Sequence, residues 1–171
     1  MVKFDLLIGG EWRPASGRDT AEVRSPFDGS VVGEVAIATE DDARAALAAA
    51  QRGAATWSRT PAHERAAILG RAAEIAESRV DDIARTISLE NGKPLAEATG
   101  EARRSGALLR LAASEGTQLY GEGLPLDADP GTGQDKVGFT LRQPVGVVVA
   151  ITPFDTDEEA IALANDTEYG L

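Results

Sequence analysis

The sequence predicts an α/β protein, because strand-forming segments lie at both ends of a central stretch with helical periodicity. The 171 residues are enough for one domain of ordinary size. Apolar residues make up 43% of the chain and aromatic residues only 5%, and alanine dominates the apolar set. We therefore expect a helix-rich core in which small side chains pack closely.

The N-terminal stretch carries the signals of short strands. Segments 6–8 and 11–13 flank Gly9 and Gly10, and two strands around a two-glycine turn predict a β-hairpin. Further strands are expected at 21–24 and 31–37, with proline, aspartate and glycine supplying the turn between them.

Four helices follow, each indicated by apolar residues that recur at helical spacing. Thr39 is a hydroxyl N-cap followed by three acids in the first turn, where the helix dipole favours negative charge. Pro61 is placed at the first position of the second helix. The third helix spans about 80–91 and ends at Gly92, and the fourth spans about 95–115.

The remainder of the chain predicts a loop, two strands and a helix. Residues 124–135 are rich in proline, glycine and aspartate and indicate a surface loop. Residues 137–142 alternate like a half-exposed strand, whereas 146–151 are continuously apolar, like a strand covered on both faces. Residues 156–159 have the pattern of a capping box and predict the start of a short amphipathic helix.

The charge and the content of cysteine and histidine exclude several functional classes. The formal net charge is −11, from 17 basic and 28 acidic residues, so nucleic acid and anionic membrane surfaces are not expected as partners. The absence of cysteine excludes disulfides, thiolate metal sites and cysteine nucleophiles from this chain. The single histidine, His63, excludes a histidine-rich metal cluster, and we assign no metal site.

The sequence also predicts a cytoplasmic location. Asp5 lies where a signal peptide would need its apolar stretch. The longest apolar run, residues 145–151, is far too short to span a bilayer. A cytoplasmic protein without membrane attachment is therefore the expectation.

Four short motifs in order resemble the NAD(P)-dependent aldehyde dehydrogenase family. They are IGGEW at 8–12, SPFDG at 25–29, ENGKP at 90–94 and PVGV at 144–147. Each is weak alone, but together, at compatible spacing over residues 1–154, they make a strong resemblance. It implies a partial aldehyde dehydrogenase fold, namely the N-terminal helical part of a Rossmann-like cofactor domain plus an oligomerisation hairpin.

The resemblance implies a division of the chain into two parts. Residues 1–154 correspond to the N-terminal part of the cofactor-binding domain, with an oligomerisation hairpin at about 118–143. A homo-oligomer is expected to form through strand 137–143, whose alternating pattern leaves an edge for another chain. Residues 155–171 form the second part, in which 156–171 resemble a helix of the catalytic domain that the family places after its catalytic cysteine.

The resemblance also implies a cofactor site at the end of the apolar strand. Ligands in open α/β sheets lie beyond the carboxyl ends of the strands, and Ile151, Thr152, Pro153 and Phe154 match residues that line the nicotinamide side of the family's NAD or NADP cleft. The alternative is that these residues only end a buried strand, since the phosphate-binding elements are missing and cofactor binding by this chain alone is doubtful. Asp155 stands where the family has an asparagine, or else belongs to the downstream segment.

The activity implied is NAD(P)-dependent oxidation of an aldehyde to a carboxylic acid. In the family a thiolate attacks the aldehyde, hydride passes to the nicotinamide and a carboxylate activates the hydrolytic water. This chain contains neither the cysteine nor the general-base segment, so we assign no catalytic residue and expect it to be inactive alone. Two other interpretations stay open: a non-catalytic module that pairs with another subunit through 137–143, or two joined segments of a longer enzyme.

Overall fold

The computed structural model describes residues 2–128, 130–131 and 133–150. Its architecture is mixed α/β, which confirms the predicted fold class: strands form three small sheets and four helices occupy the centre of the chain. The elements are β1 (Val2–Phe4), β2 (Leu6–Ile8), β3 (Glu11–Arg13), β4 (Thr20–Arg24), β5 (Val31–Ala36), α1 (Glu40–Trp57), α2 (Ala62–Ser78), α3 (Val80–Asn91), α4 (Leu95–Gly116), β6 (Gly123–Leu124) and β7 (Gly138–Phe139).

The largest sheet has the strand order β1-β5-β4. Strand β5 pairs antiparallel with β4 and parallel with β1, so that Phe4 lies opposite Val35. The two strands predicted at 21–24 and 31–37 are confirmed. Strand β1 was not predicted, because three residues that include a lysine carry too little local signal for a strand.

The predicted N-terminal hairpin of β2 and β3 is confirmed, and its register places Leu6 opposite Arg13 and Ile8 opposite Glu11. Gly9 and Gly10 have φ angles of 66° and 88°. Positive φ at both central positions is what the tight type I′ hairpin turn requires, and glycine adopts it without strain.

Helix α1 begins with the predicted cap. The Thr39 hydroxyl accepts a hydrogen bond from the backbone N–H of Asp42 at 3.3 Å, and the Asp42 carboxylate accepts one from the backbone N–H of Thr39 at 3.0 Å. This is a reciprocal capping box that satisfies two backbone donors at the helix start. The sequence predicted the threonine but not the role of Asp42.

Asp42 also fixes the loop that precedes β4. Its carboxylate accepts hydrogen bonds from the backbone N–H of Ser16 at 3.0 Å and from the Ser16 hydroxyl at 3.1 Å, and the side chain is buried at 5% exposure. Hydrogen bonds from the backbone of Thr39 and then of Ser16 lower the pKa of Asp42 from its ordinary 3.8 to about 2. The charged form is therefore the one that the fold stabilises.

The stability of the chain should depend on pH through this carboxylate. Because its pKa is lower in the folded state, its contribution is complete above the unfolded value near 3.8 and is lost as the pH falls through about 2. Asp42→Asn should therefore lower the urea midpoint most at pH 5 to 7, and the difference from the native chain should shrink towards pH 2.5.

Urea denaturation at four pH values between 7 and 2.5 would measure this difference. Asp41→Asn is the matched control, since it removes one charge from the same helical turn at an exposed position. A difference between native and Asp42→Asn chains that stays constant across the range would contradict the assignment.

The helical core consists of alanines, as the composition predicted. Helix α4 packs against both α2 and α3. At these contacts Ala73, Ala84, Ala98 and Ala102 are at most 1% exposed, and no large side chain among the described residues is fully buried. Small side chains let the helix backbones approach closely, so that this core depends on close fit rather than on large apolar groups.

The helix boundaries agree with the sequence signals to within a residue. Helix α3 ends at Gly92, which has a φ of 76° and donates its N–H to the carbonyl of Ser88 at 3.0 Å. The prediction for α2 was wrong by one position, because the helix starts at Ala62 and Pro61 is its N-cap. Proline is tolerated at either place, since the first N–H groups of a helix have no partner within it.

Two ion pairs tie α4 to the preceding parts of the helical body. Arg110 of α4 donates two hydrogen bonds to the Glu77 carboxylate of α2, at 2.8 and 2.6 Å. Lys93 pairs with Glu101 across the α3–α4 junction. Each partner's hydrogen bond lowers the pKa of the glutamate it contacts. The side chain of Glu77 lies against the backbone of Gly106, where an added Cβ would meet its Cγ at 2.6 Å.

The C-terminal part of the described chain departs from two strand predictions. The strand predicted at 137–142 is reduced to β7, which pairs antiparallel with β6. Residues 146–150 of the predicted buried strand form no strand in the structure, and that prediction was wrong for this chain. A strand of a parallel sheet needs a neighbouring strand to pair with and cover on both faces, and the part of the chain that the structure describes pairs no strand with 146–150. In the loop predicted at 124–135, residues Leu126–Ala128 form a 3-10 turn.

Candidate functional site

The residues predicted to contact a cofactor lie outside the described residues. They are Ile151, Thr152, Pro153 and Phe154, and the same is true of Asp155. The helix predicted at 156–171 also lies outside them. The structure therefore describes the segment that leads to the candidate site, and the site itself stays a prediction.

The approach segment, residues 144–150, is apolar and uncovered. Val145 is 91% exposed, and Val148 and Val149 are 74% and 73% exposed. Val147 is the least exposed valine of this run, at 37%. Val145, Val148 and Val149 therefore lack most of the free energy that full burial of each would give, about 1.5–3 kcal/mol. The apolar composition of the segment is typical of a buried strand, but its side chains are exposed and it pairs with no described strand.

The hairpin of β6 and β7 is the second candidate functional feature. It is held by the backbone N–H of Thr140, which donates to the carbonyl of Glu122 at 2.9 Å, and by the backbone N–H of Glu122, which donates to the Thr140 hydroxyl at 2.9 Å. Gly123 lies opposite Phe139. Each strand of the pair keeps one edge without a described partner, so backbone groups along 137–141 remain open to another strand.

Three apolar side chains in and beside β7 are exposed. The alternating sequence pattern of 137–142 would place Val137, Phe139 and Leu141 on one face of a longer strand, of which the structure forms Gly138–Phe139. They are 90%, 64% and 70% exposed. An apolar row beside an open strand edge is typical of a surface that pairs with another chain.

The single histidine and the lysine of the ENGKP motif both lie beside carboxylates. The side chain of His63 is 80% exposed and lies 3.9 Å from Glu64, its neighbour in sequence. Lys93 is engaged with Glu101. Among the described residues, no group of three histidine, aspartate or glutamate side chains is arranged to hold a metal ion.

Sequence reasoning missed the polar contacts that join distant segments. The hydrogen bonds between Ser16 and Asp42 and the pair of Glu77 with Arg110 connect residues 26 and 33 positions apart. No local pattern in the sequence signals such pairs. Asp42 was visible only as one of three acids in a first turn, which is an ordinary helix-start signal.

No helix among the described residues is long and apolar enough to cross a membrane.

Comparison with known proteins gives a consistent match over most of the chain. A sequence model described as "Aldehyde dehydrogenase family" matches residues 12–156. The chain is 39% identical over 155 residues to the succinate-semialdehyde dehydrogenase [NADP(+)] GabD of Escherichia coli strain K12. That alignment covers 91% of this chain and 31% of the relative, so the chain spans about a third of the length of the curated relatives it matches.

Solved structures share the fold of the described part. An NADP-dependent glyceraldehyde-3-phosphate dehydrogenase from Bacillus halodurans C-125, complexed with NADP, matches with a TM-score of 0.81 and 27% identity over 85% of this chain and 31% of that one. A salicylaldehyde dehydrogenase from Pseudomonas putida G7, complexed with salicylaldehyde, matches with a TM-score of 0.78 and 32% identity over 85% of this chain and 29% of that one.

Proposed function

The chain belongs to the aldehyde dehydrogenase family, and on that premise we propose that it supplies the N-terminal part of an enzyme that oxidises an aldehyde to a carboxylic acid with NAD or NADP. The match to the family over residues 12–156 is the observation that carries the proposal. The described helices and sheets support it, since two dehydrogenase structures match 85% of this chain with TM-scores of 0.81 and 0.78.

Within that enzyme we place the cofactor beyond the end of the apolar strand. Ile151, Thr152, Pro153 and Phe154 are the proposed contacts on the nicotinamide side, and the general rule for open α/β sheets supports this position. The exposed valines of segment 144–150 then gain their cover from neighbouring parallel strands that belong to the rest of the enzyme.

The 171 residues alone are not expected to catalyse the reaction. A polypeptide with this sequence has no cysteine to supply the thiolate. Purified protein mixed with succinate semialdehyde and either cofactor should therefore form no reduced nicotinamide above a control without protein. Any cofactor reduction above that control would contradict this expectation.

A chimera tests the proposed role directly. Residues 1–154 would replace the corresponding N-terminal part of the Escherichia coli succinate-semialdehyde dehydrogenase. If the proposal holds, the chimera oxidises the semialdehyde in an NADP- or NAD-dependent manner, and changing its catalytic cysteine to alanine abolishes the activity. A folded chimera of native mass without activity would count against the proposal.

A second candidate function is a non-catalytic module that pairs with another subunit through strand 137–143. The exposed row of Val137, Phe139 and Leu141 favours it. Size-exclusion chromatography of the chain, alone and with a full-length relative of the family, tests whether the chain pairs with another subunit. Elution as a monomer in both runs would speak against the module, and co-elution with the relative would support it.

A further inference from the structure

A groove of about 550 Å³ lies on the helical body, and Val137, Phe139 and Leu141 are not among the residues that line it. It is formed by the end of α1, the first half of α2, the end of α4 and residues 142–144. Its volume falls in the range of small-ligand pockets, about 300–1,000 Å³.

The groove combines an apolar wall with two cationic side chains. Trp57, Leu69, Ala112 and Leu119 supply apolar surface from three different elements, and Arg65 and Arg142 supply the charge. Among the described residues that line the groove there is no acid, although the whole chain has a net charge of −11. Two arginines from segments far apart in sequence therefore line one groove of an acidic protein, and no described acid lies among the lining residues.

Neither arginine is engaged in an ion pair with a described residue. The pairs that the described residues form involve Arg24, Arg44, Lys93, Arg110 and, with its neighbour, His63. A guanidinium is planar, stays charged at all relevant pH values and binds carboxylate or phosphate with two parallel hydrogen bonds. A pocket with an apolar wall and a few polar groups that fix orientation is the usual form of a small-ligand site.

We propose that this groove binds an amphipathic organic anion, with its carboxylate or phosphate at Arg65 and Arg142 and its apolar body against Trp57, Leu69 and Leu119. The charged group gives selectivity over neutral compounds of the same shape. Because the arginines are partly exposed to solvent, binding should weaken as the salt concentration rises. The proposal does not depend on the enzymatic role, because it uses only residues of the described helical body and of 142–144.

Trp57 provides a built-in reporter of occupancy. The chain has two tryptophans, so a Trp12→Phe background leaves Trp57 as the only indole. Octanoate, octyl phosphate and neutral 1-octanol would be titrated against its emission, and calorimetry would give the affinity independently. We expect saturable binding of at least one anion, at least tenfold tighter than that of 1-octanol, and the comparison of octanoate with octyl phosphate tells which anionic group is preferred.

Substitutions then locate the site. Arg65→Gln with Arg142→Gln should weaken anion binding at least tenfold, whereas Arg142→Lys alone keeps the charge and should weaken it less. The matched control is Arg71→Gln with Arg85→Gln, two exposed arginines outside the groove, which should leave the affinity within twofold. Urea midpoints equal to that of the background establish that each variant is folded.

Three outcomes would overturn the proposal. They are the absence of saturable anion binding at millimolar concentration, equal affinity for 1-octanol, and equal affinity of the variant without Arg65 and Arg142. If 1-octanol binds as tightly as the anions, the arginines contribute nothing to binding, and the groove is instead an apolar surface that another part of the protein or another chain covers.

Discussion

Ala98→Leu is expected to lower the free energy of unfolding by about 2–3 kcal/mol. Ala98 is fully buried, in a cluster with Ala84 and Ala102 against which Val80 and Ile83 pack. Three additional heavy atoms cannot enter a contact between α3 and α4 that alanine already fills, so the helices must separate or the side chain must leave its preferred rotamer.

Ala96→Leu is the matched control, since position 96 lies on the exposed face of the same helix. Its effect should stay within about 0.5 kcal/mol, because alanine and leucine have similar helix propensities and no packing changes. Urea denaturation followed by circular dichroism measures both variants. Equal destabilisation of the two would mean that the packing of α4 is not the cause.

The success of the helix predictions follows from how local their signals are. Thr39 with its acids, the two glycines of the first hairpin and Gly92 each fix a boundary within a few residues of themselves, and the structure confirms all three. The alanine-rich core followed from composition and helical spacing alone. Features of this kind need no knowledge of the rest of the fold.

The features that the sequence did not predict depend on contacts across the chain. Strand β1 exists because β5 offers a parallel edge, and Ser16 meets Asp42 only once the loop before β4 has turned back onto α1. The pair of Glu77 and Arg110 requires the crossing of α2 and α4. Contacts between residues this far apart in the chain produce no periodic pattern in the sequence that could predict them.

In the apolar segment that precedes the candidate cofactor site, the sequence pattern and the observed exposure disagree. The pattern of residues 146–150 indicates a strand that is buried on both faces, and the structure leaves it exposed and unpaired. Burial of a parallel strand is a property of its neighbours, so a correct local pattern gives no buried strand when the neighbours are lacking. The site at 151–154 begins just beyond the described residues and remains a prediction.

Gly121→Ala is expected to open the hairpin of β6 and β7 and to abolish any assembly that uses its exposed face. A Cβ at position 121 would lie 1.7 Å from the backbone oxygen of Thr140, a distance that no local adjustment of a side chain relieves. The backbone itself must move, which breaks the hydrogen bonds between Glu122 and Thr140 and the alignment of Gly123 with Phe139.

Gly123→Ala separates this effect from the general cost of replacing a strand glycine, since no atom lies within 4 Å of a Cβ at position 123. Light scattering coupled to size-exclusion chromatography would give the mass of both variants and of the native chain over a range of concentrations. If strand 137–143 mediates association, Gly121→Ala should raise the dissociation constant at least tenfold, while Gly123→Ala, which adds one methyl group opposite Phe139 without displacing the backbone, should change it less. An assembly that survives Gly121→Ala would have to use another surface, and the uncovered valines of segment 144–150 would then be the next residues to change.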